Sequence, residues 1–593
     1  MFCTTRVRSS GWASLCCAAV LCTAGSVAAQ PTILPGHYLG TWNNTTFAST
    51  GAVKADVFVK NGIVTIVFDA AGSVFGQGDP GPVLISGPLT AGGVAMSLTN
   101  HPLLGNATFN IGPTGTVTCN GTAVPAPNVD TFTANGSLTG ATLSLSGTIG
   151  LTGGGTANTT IVLNRSVLST IASPNQIGTG IFGYAVCGIG DIDGDGRGDA
   201  VVGAPLENPD NYPEAGRAYF VSGATGNVIR TLISPGREAG GHFGVSVAAI
   251  PDVNGDGKPD VVIGAPDEDP GTNPSDTGRA YIYSGATGGL LWKLIPPAPT
   301  INMHFGKAVA GVPDVNGDGR GDVLVGAPDE TYAGGQTRAG RVYVYSGATG
   351  VRIRNITPPT PQANDFFGRS VAGLADINND GRGDIVIGAP ENEDTYSTGR
   401  TGHAYLFSGS TGGFIRQFNS PAAEANGRFG YSIAAVADTN GDGKQDIVIG
   451  GPFENPGASP VDCGRAHLYS GATGALLFKL LPPTPAANGR FGWSLAGVPD
   501  INGDARGDIV VGAPGEPTGA GRAHTYSGAT GGRLSSHASA YAEAGGNFGW
   551  SVGGTPDLSG NGRGDLIVGA WKENPPTLPV PPTDTGRAYI VRR

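Results

Sequence analysis

Beyond its first thirty residues the chain has no apolar run of membrane-spanning length and no long stretch with apolar residues at helical spacing. A helical membrane span and a helical core are excluded there. Cysteine is scarce. Cys3, Cys16, Cys17 and Cys22 sit near the start, and Cys119, Cys187 and Cys463 are scattered. Three scattered cysteines make no disulfide framework, so packing and metal must hold the fold. Charged residues are only 14% of the chain and the balance is acidic, at −11. That balance argues against nucleic acid and an anionic membrane surface, and it suits a protein that holds divalent cations.

What is plentiful is glycine, 101 of 593 residues, about twice the usual share and without a collagen period. Such a chain is full of tight turns between many short strands, and 39% apolar residues still suffice for a core. The length calls for two or more folded units. The expected fold is all-β.

Residues 1–29 read as a secretory signal: Arg6 and Arg8 open it, Trp12 to Cys22 is apolar, and Val27-Ala28-Ala29 offers a small-residue cleavage site before Gln30. The mature protein is therefore expected outside the cytoplasm, secreted, at the cell surface or in a periplasm. Residues 30–164 are rich in Thr, Gly, Ser and Asn, with alternating runs at Val53 to Val59, Ile63 to Phe68 and Ala141 to Ile149. They predict a smaller β-sandwich or barrel of eight to ten strands, with no metal or catalytic constellation.

From residue 165 the sequence repeats. Phe-Gly recurs at Phe182, Phe243, Phe305, Phe367, Phe429, Phe491 and Phe548, at intervals of 61, 62, 62, 62, 62 and 57 residues. A fixed period of this kind marks a propeller or solenoid. Each unit carries an apolar run, an aspartate loop, a second run ending in Gly-Ala-Pro or a variant, and a variable acidic loop. A third run opening on Gly-Arg-Ala-Tyr or a variant, a Ser-Gly-Ala-Thr-Gly turn and a fourth run follow. Four short runs separated by turns describe one four-stranded antiparallel blade. The seventh unit stops after its third run, at Gly586 to Val591, while Ser166 to Pro174 matches the fourth-run segment Val228 to Pro235. The count balances if residues 165–174 complete the last blade, which makes residues 165–593 a closed seven-bladed β-propeller with no exposed end.

The Phe-Gly and Gly-Ala-Pro pattern resembles the FG-GAP repeats of the integrin α-subunit N-terminal propeller, over all seven units. Blade five departs with Gly450-Gly451-Pro452 and blade seven with Gly569-Ala570-Trp571, and no integrin stalk, membrane helix or tail is present. The resemblance implies the propeller and not a heterodimeric receptor.

Each unit places oxygen side chains at positions 1, 3, 5 and 9 of a nine-residue loop. The first strong loop is Asp191, Asp193, Asp195 and Asp199, and the second is Asp252, Asn254, Asp256 and Asp260. The next two are Asp314, Asn316, Asp318, Asp322 and Asp376, Asn378, Asp380, Asp384. The last two are Asp438, Asn440, Asp442, Asp446 and Asp500, Asn502, Asp504, Asp508. The position-7 carbonyls of Arg197, Lys258, Arg320, Arg382, Lys444 and Arg506 would add a further oxygen. An all-oxygen, flexible set without His or Cys favours Ca²⁺ over Mg²⁺ or zinc. About six ions are expected. Ala505 stands where the other loops have glycine at position 6, and the seventh loop (Asp557, Ser559, Asn561, Asp565) has too few carboxylates for more than weak binding. Arg-Gly-Asp occurs at Arg197, Arg320, Arg382, Arg506 and Arg563, each time as loop positions 7 to 9, so a loop-building role is expected rather than display to a receptor.

No catalytic set breaks the repeat. His467 and His524 stand where other blades have Tyr219, Tyr281 and Tyr343, His403 replaces a strand arginine, and His242 and His304 precede Phe-Gly. The expected function is an extracellular, calcium-binding adhesion or ligand-binding protein, a monomer with a protein or glycan ligand. The alternative is a secreted hydrolase or lyase scaffolded on the ring. Asymmetric His, Glu or Asp at the ring centre would favour the enzyme, and a symmetric centre would favour binding. Hairpins alternate between faces, so the loops after Gly-Ala-Pro and before Phe-Gly share the face opposite the aspartate loops. Their variability marks that face for binding. It also carries Glu207, Glu268, Glu330, Glu391, Glu454, Glu516 and Glu573, which are expected to brace the blades by pairing with Arg217, Arg279, Arg341, Arg465, Arg522 and Arg587.

Overall fold

The computed structural model describes the backbone of the strands between residues 22 and 165, and residues 168–592 apart from 176–177, 270–274, 333, 392–398, 456, 458–459, 540, 559–561 and 575–583. The signal reading falls outside the described residues except at Cys22 and Thr23. The chain divides into two compact units.

The first unit is a closed antiparallel barrel of ten strands, from Gly36–Asn44 to Gly155–Arg165. Each strand bonds to the next in sequence, and the last returns to the first, with Asn164 opposite Leu39. Closure leaves no strand edge exposed. Of the two forms expected here, the barrel is the one observed.

The second unit is seven four-stranded sheets. Blade two shows the pattern: Ser246–Ile250, Asp260–Ala265, Arg279–Tyr283 and Leu290–Leu294, antiparallel in that order. The second strand of every blade is buried at all six positions. It is sandwiched between neighbouring blades, which is why it reads as an unbroken Val/Ile run instead of alternating. The fourth strand lies at the rim: Leu290–Leu294 buries only Leu294. First strands of successive blades are neighbours around the ring, and that of blade seven adjoins that of blade one.

The two motifs that define the repeat meet in space. The Gly244 N–H donates to the Gly264 carbonyl at 2.9 Å, so Phe-Gly bonds to Gly-Ala-Pro within one blade. A Cβ on Gly264 would lie 1.9 Å from the carbonyl oxygen of Gly306, the Phe-Gly glycine of the next blade. The backbones of adjacent blades approach too closely there for any side chain. Phe305 packs against Tyr343 and Tyr345 at ring-centroid distances of 5.5 and 5.9 Å, inside a core shared by blades two and three.

Blade seven takes its outer strand from Leu168–Ala172, beside Arg587–Val591. The contacts that join consecutive blades recur between the last and the first. Phe182 N–H donates to the Thr585 carbonyl at 2.9 Å, as Phe305 does to Thr277. Ser551 Oγ donates to the Gly183 carbonyl at 2.9 Å, as Ser370 does to Gly430. Ile171, Phe182 and Val202 share one core with Ile567 and Ile590. The unit is a closed seven-bladed β-propeller.

Candidate functional site

In blade one Asp191, Asp193 and Asp195 bring carboxylate oxygens within 4.8 Å of one another, the one such acidic group among the described residues. The loop is shaped by its own side chains: Asp191 accepts from the N–H of Gly194 (2.6 Å) and Gly196 (3.0 Å), and Asp195 accepts from Arg197 N–H (2.9 Å). Burial would raise the Asp191 carboxyl, but those N–H groups and the Lys258 ammonium outweigh it and hold it below the usual range. Position 1 repeats the pattern, with Asp314 accepting from Gly317 and Gly319 and Asp438 from Gly441 and Gly443.

The other five loops differ from the first at position 3. Asn254, Asn316, Asn378, Asn440 and Asn502 put an amide where blade one has Asp193, so positions 1, 3 and 5 offer two carboxylates instead of three. Each amide oxygen accepts the position-5 N–H, from Asp256, Asp318, Asp442 and Asp504 at 2.9 Å and from Asp380 at 2.8 Å. An amide oxygen has two lone pairs, so one is left for a cation. The Nδ2 of Asn254 donates to the Asp256 carboxylate at 2.8 Å. Those of Asn316, Asn378 and Asn502 donate to Asp318, Asp380 and Asp504, each at 2.9 Å. Asn440 instead reaches Asp446, at 3.5 Å. The position-7 N–H groups of Lys258, Arg320, Lys444 and Arg506 close these loops onto position 5 at 2.9 Å, and that of Arg382 does so at 3.0 Å. Position 6 has φ between +79° and +85° where it is glycine, and Ala505 takes +62°. In the seventh loop Asp557 still accepts from Gly562 N–H at 2.6 Å, while Ser559 and Asn561 lie outside the described residues.

The position-9 aspartates do something the motif alone does not reveal. Asp260 is fully buried, and its carboxylate accepts from Val253 N–H (2.8 Å) and Gly285 N–H (3.0 Å). Gly285 belongs to the Ser-Gly-Ala-Thr-Gly turn, and Ser284 Oγ of that turn donates to Asp256 at position 5, at 3.1 Å. The turn therefore braces the loop. The sequence signal was a fixed spacing: Asp256, Asp318, Asp380 and Asp442 each lie 28 residues before the serine that holds them, and Asp504 lies 23 before Ser527. Burial, with the neighbouring carboxylates, pushes Asp199, Asp322 and Asp508 up to about 6.

Position 7 also reaches between blades. Lys258 Nζ lies 3.3 Å from Asp191, and Arg382 and Arg506 lie 3.0 and 3.1 Å from Asp314 and Asp438, in each case position 1 of the preceding loop. The five Arg-Gly-Asp triplets are closed to a receptor, because Asp199, Asp322, Asp384, Asp508 and Asp565 are all 0% exposed.

On the opposite face, the glutamates are core groups. Glu268 pairs with Arg279 at 3.0 Å and accepts from the Tyr281 hydroxyl; Tyr343 Oη donates to Glu330 at 2.8 Å. His467 and His524 replace the tyrosine and hold Glu454 and Glu516 at 2.9 and 3.0 Å. Burial raises Glu207, Glu268 and Glu330, and takes Glu573 up to about 7. Glu391 breaks the set. It follows Gly-Ala-Pro one residue early and pairs with Arg400 and, at 3.2 Å, Arg428.

The ring centre is asymmetric. A cavity of about 250 Å³ opens among the first strands, at their Phe-Gly end. The residue after Phe-Gly in blades one to seven is Tyr184, Val245, Lys307, Arg369, Tyr431, Trp493 and Trp550. Two residues deeper, aliphatic side chains from Val186 round to Val552 form the cavity's second level. Tyr431–Trp493 and Trp493–Trp550 centroids are both 4.7 Å apart, and Trp571 and Tyr184 lie 5.0 and 5.7 Å from Trp550. The asymmetry is thus aromatic against basic, and no His, Glu or Asp lines the cavity among the described residues. Five serines line it, Ser246, Ser370, Ser432, Ser494 and Ser551, each donating its hydroxyl to a glycine carbonyl of the next blade.

The FG-GAP repeat family matches residues 182–221, 243–283, 305–345, 367–407, 429–469 and 491–526, the first three strands of blades one to six. This is an FG-GAP repeat protein, resembling the integrin α propeller. Integrin alpha-4 of Xenopus laevis is 30% identical over 243 residues, 39% of this chain and 22% of that protein. Integrin alpha-10 of Homo sapiens is 34% identical over 197 residues (29% and 16%), and integrin alpha-5 of Xenopus laevis 31% over 219 (35% and 20%). The chain spans about a fifth of the length of these relatives. Blade seven of the FG-GAP ring, with Trp571 in place of proline, lies outside the matched repeats. No helix among the described residues is long and apolar enough to cross a membrane.

Proposed function

We propose that this chain is an extracellular, calcium-stabilised ligand-binding protein of the adhesion kind, binding a protein or glycan as a monomer through the Phe-Gly face of its ring. The observation that carries the reading is the division between the faces. One face repeats an all-oxygen loop six times, closed by the same backbone bonds onto positions 3 and 5; the other varies its residues from blade to blade around a half-buried centre. Positions 1, 3, 5 and 9 supply the ligands in each loop, with the position-7 carbonyl, and the position-9 carboxylate also holds the loop to its blade. The donor chemistry fits a hard cation, and the convergence of three carboxylates in blade one fits a Ca²⁺-sized site. The bound ion would neutralise those carboxylates and stiffen the loops.

The integrin-like repeats support binding over catalysis, as does a centre whose serine hydroxyls are tied to the backbone. The test is a protein and glycan array probed with the secreted chain, with and without calcium, followed by substitutions on each face. Binding lost by changes in loops of the Phe-Gly face, with calcium still bound, is the expected outcome. Binding abolished only by changes beside the aspartate loops would reverse the assignment of faces.

A further inference from the structure

The centre of the Phe-Gly face carries more than a general binding role, because its seven equivalent positions are sorted by chemistry. Going round the ring, blades five, six, seven and one give Tyr431, Trp493, Trp550 and Tyr184, an unbroken aromatic arc. Blade three gives Lys307, which lines the cavity, blade four gives Arg369, which is not among the lining residues, and blade two gives only Val245. The Arg369 guanidinium lies 4.9 Å from the Tyr431 ring centroid and donates to its hydroxyl at 3.0 Å, so the basic arc joins the aromatic one. Such sorting has no use in bracing blades that otherwise repeat the same contacts.

Among the described residues the two cations lack a dedicated counter-ion. Asp267 and Asp329, whose fields reach Lys307, are committed to histidines: Asp267 to His242 (2.6 Å) and His304 (3.3 Å), and Asp329 to His304 (2.9 Å). Burial, and then Arg369, pull the Lys307 ammonium below its ordinary range, partly offset by Asp267 and Asp329. An anion entering the centre would offset that cost, whereas a cation would meet two like charges. Aromatic faces carry partial negative charge and favour the C–H face of a sugar ring. At about 250 Å³ the cavity is smaller than an ordinary drug-sized pocket of roughly 300–1,000 Å³, so it suits one ring at a time.

We propose that the centre of the Phe-Gly face binds an acidic sugar residue, a pyranose carrying a carboxylate or sulfate, with its C–H face on Trp493 and Trp550 and its anionic group at Lys307. The inference rests on the reading of this face as the binding face and gives it a ligand class.

The test uses the full calcium-loaded chain, titrated with an oligogalacturonate, a sulfated galactan oligomer and a neutral galactan oligomer. Binding is read by calorimetry and by the fluorescence of Trp493, Trp550 and Trp571. At least one acidic oligomer is expected to bind about tenfold or more tighter than the neutral one, and the preferred acid identifies the anionic group. Lys307→Gln should erase that preference by weakening the acidic oligomer about tenfold relative to the neutral one, and Trp493→Leu should weaken all three about tenfold. Melting curves check that each variant is folded, and Lys307→Gln alone decides if the tryptophan variant is not. Equal binding of acidic and neutral oligomers, acidic binding that survives Lys307→Gln, or binding of an acidic peptide but no sugar overturns the proposal. A chain that captures a partner through its Phe-Gly loops yet binds none of the three oligomers defeats this inference and leaves the proposed function standing.

Discussion

The two faces of the ring are built from the same repeats and treated oppositely. On the aspartate-loop face the blades repeat the same bonds: position 9 to the Ser-Gly turn, serine to position 5, and position 7 across to the neighbouring loop. On the Phe-Gly face the backbone is just as regular, and the residue before Phe-Gly has positive φ in every blade, from +47° at Ile181 to +57° at Asn547. Each such L-residue costs about 1–2 kcal/mol. The side chains there nevertheless differ in size and charge from blade to blade. A face that repeats its exposed side chains is holding the ring together, and one whose exposed side chains vary over a buried brace is free to specialise.

The largest expected effect comes from the contact both faces depend on. Deleting residues 166–174 removes the outer strand of blade seven and leaves the Arg587–Val591 strand unpaired on that side. Aggregation or loss of cooperative melting is expected, read by light scattering and calorimetry. A soluble deletion product that melts cooperatively would show that closure does not matter.

Next in size is a contrast within one loop. Asp260→Ala leaves the buried N–H groups of Val253 and Gly285 without acceptors and should cost about 3 kcal/mol even in chelator. The comparison variant is Asp256→Ala, exposed at position 5, which should cost much less in chelator and appreciably more with calcium present. Equal costs for the two variants under both conditions would mean that positions 5 and 9 do the same work.

How much of this was legible follows from where the information sits. The repeat, the blade count and the aspartate loops are local patterns and could be read directly. Barrel against sandwich depends on whether Gly155–Arg165 finds Gly36–Asn44, a pairing across more than a hundred residues that alternation does not encode. Within the loops, residue type shows that Asn254 and its equivalents carry oxygen, but not that the same oxygen already accepts a backbone N–H. Glu391 stands among acidic neighbours like the other glutamates, and only the register of Gly-Ala-Pro shows it one position early. The aromatic and basic arcs lie one residue past each Phe-Gly, visible once the seven units are aligned, but their convergence needs the closed ring.

A smaller effect concerns Glu573 on the Phe-Gly side. Burial raises its carboxyl from 4.5 to about 7, so between those values the folded chain holds a proton that the unfolded chain has lost. Stability from this group is therefore present at low pH and declines as pH rises from about 4.5 to about 7. Glu573→Gln should flatten that part of the stability–pH profile, and an unchanged slope would mean that the pocket keeps the glutamate ionised. Smallest is Ala505→Gly, which relieves a left-handed alanine and should stabilise by about 1 kcal/mol. No gain would mean that the loop adapts to alanine without strain.

The most direct test of the central claim is the calcium stoichiometry of the purified chain, measured by equilibrium dialysis after chelation and reloading. Six loops with matching donors predict about six ions per chain and a melting temperature that rises on reloading. No more than one ion, or a melt indifferent to chelator, would contradict it.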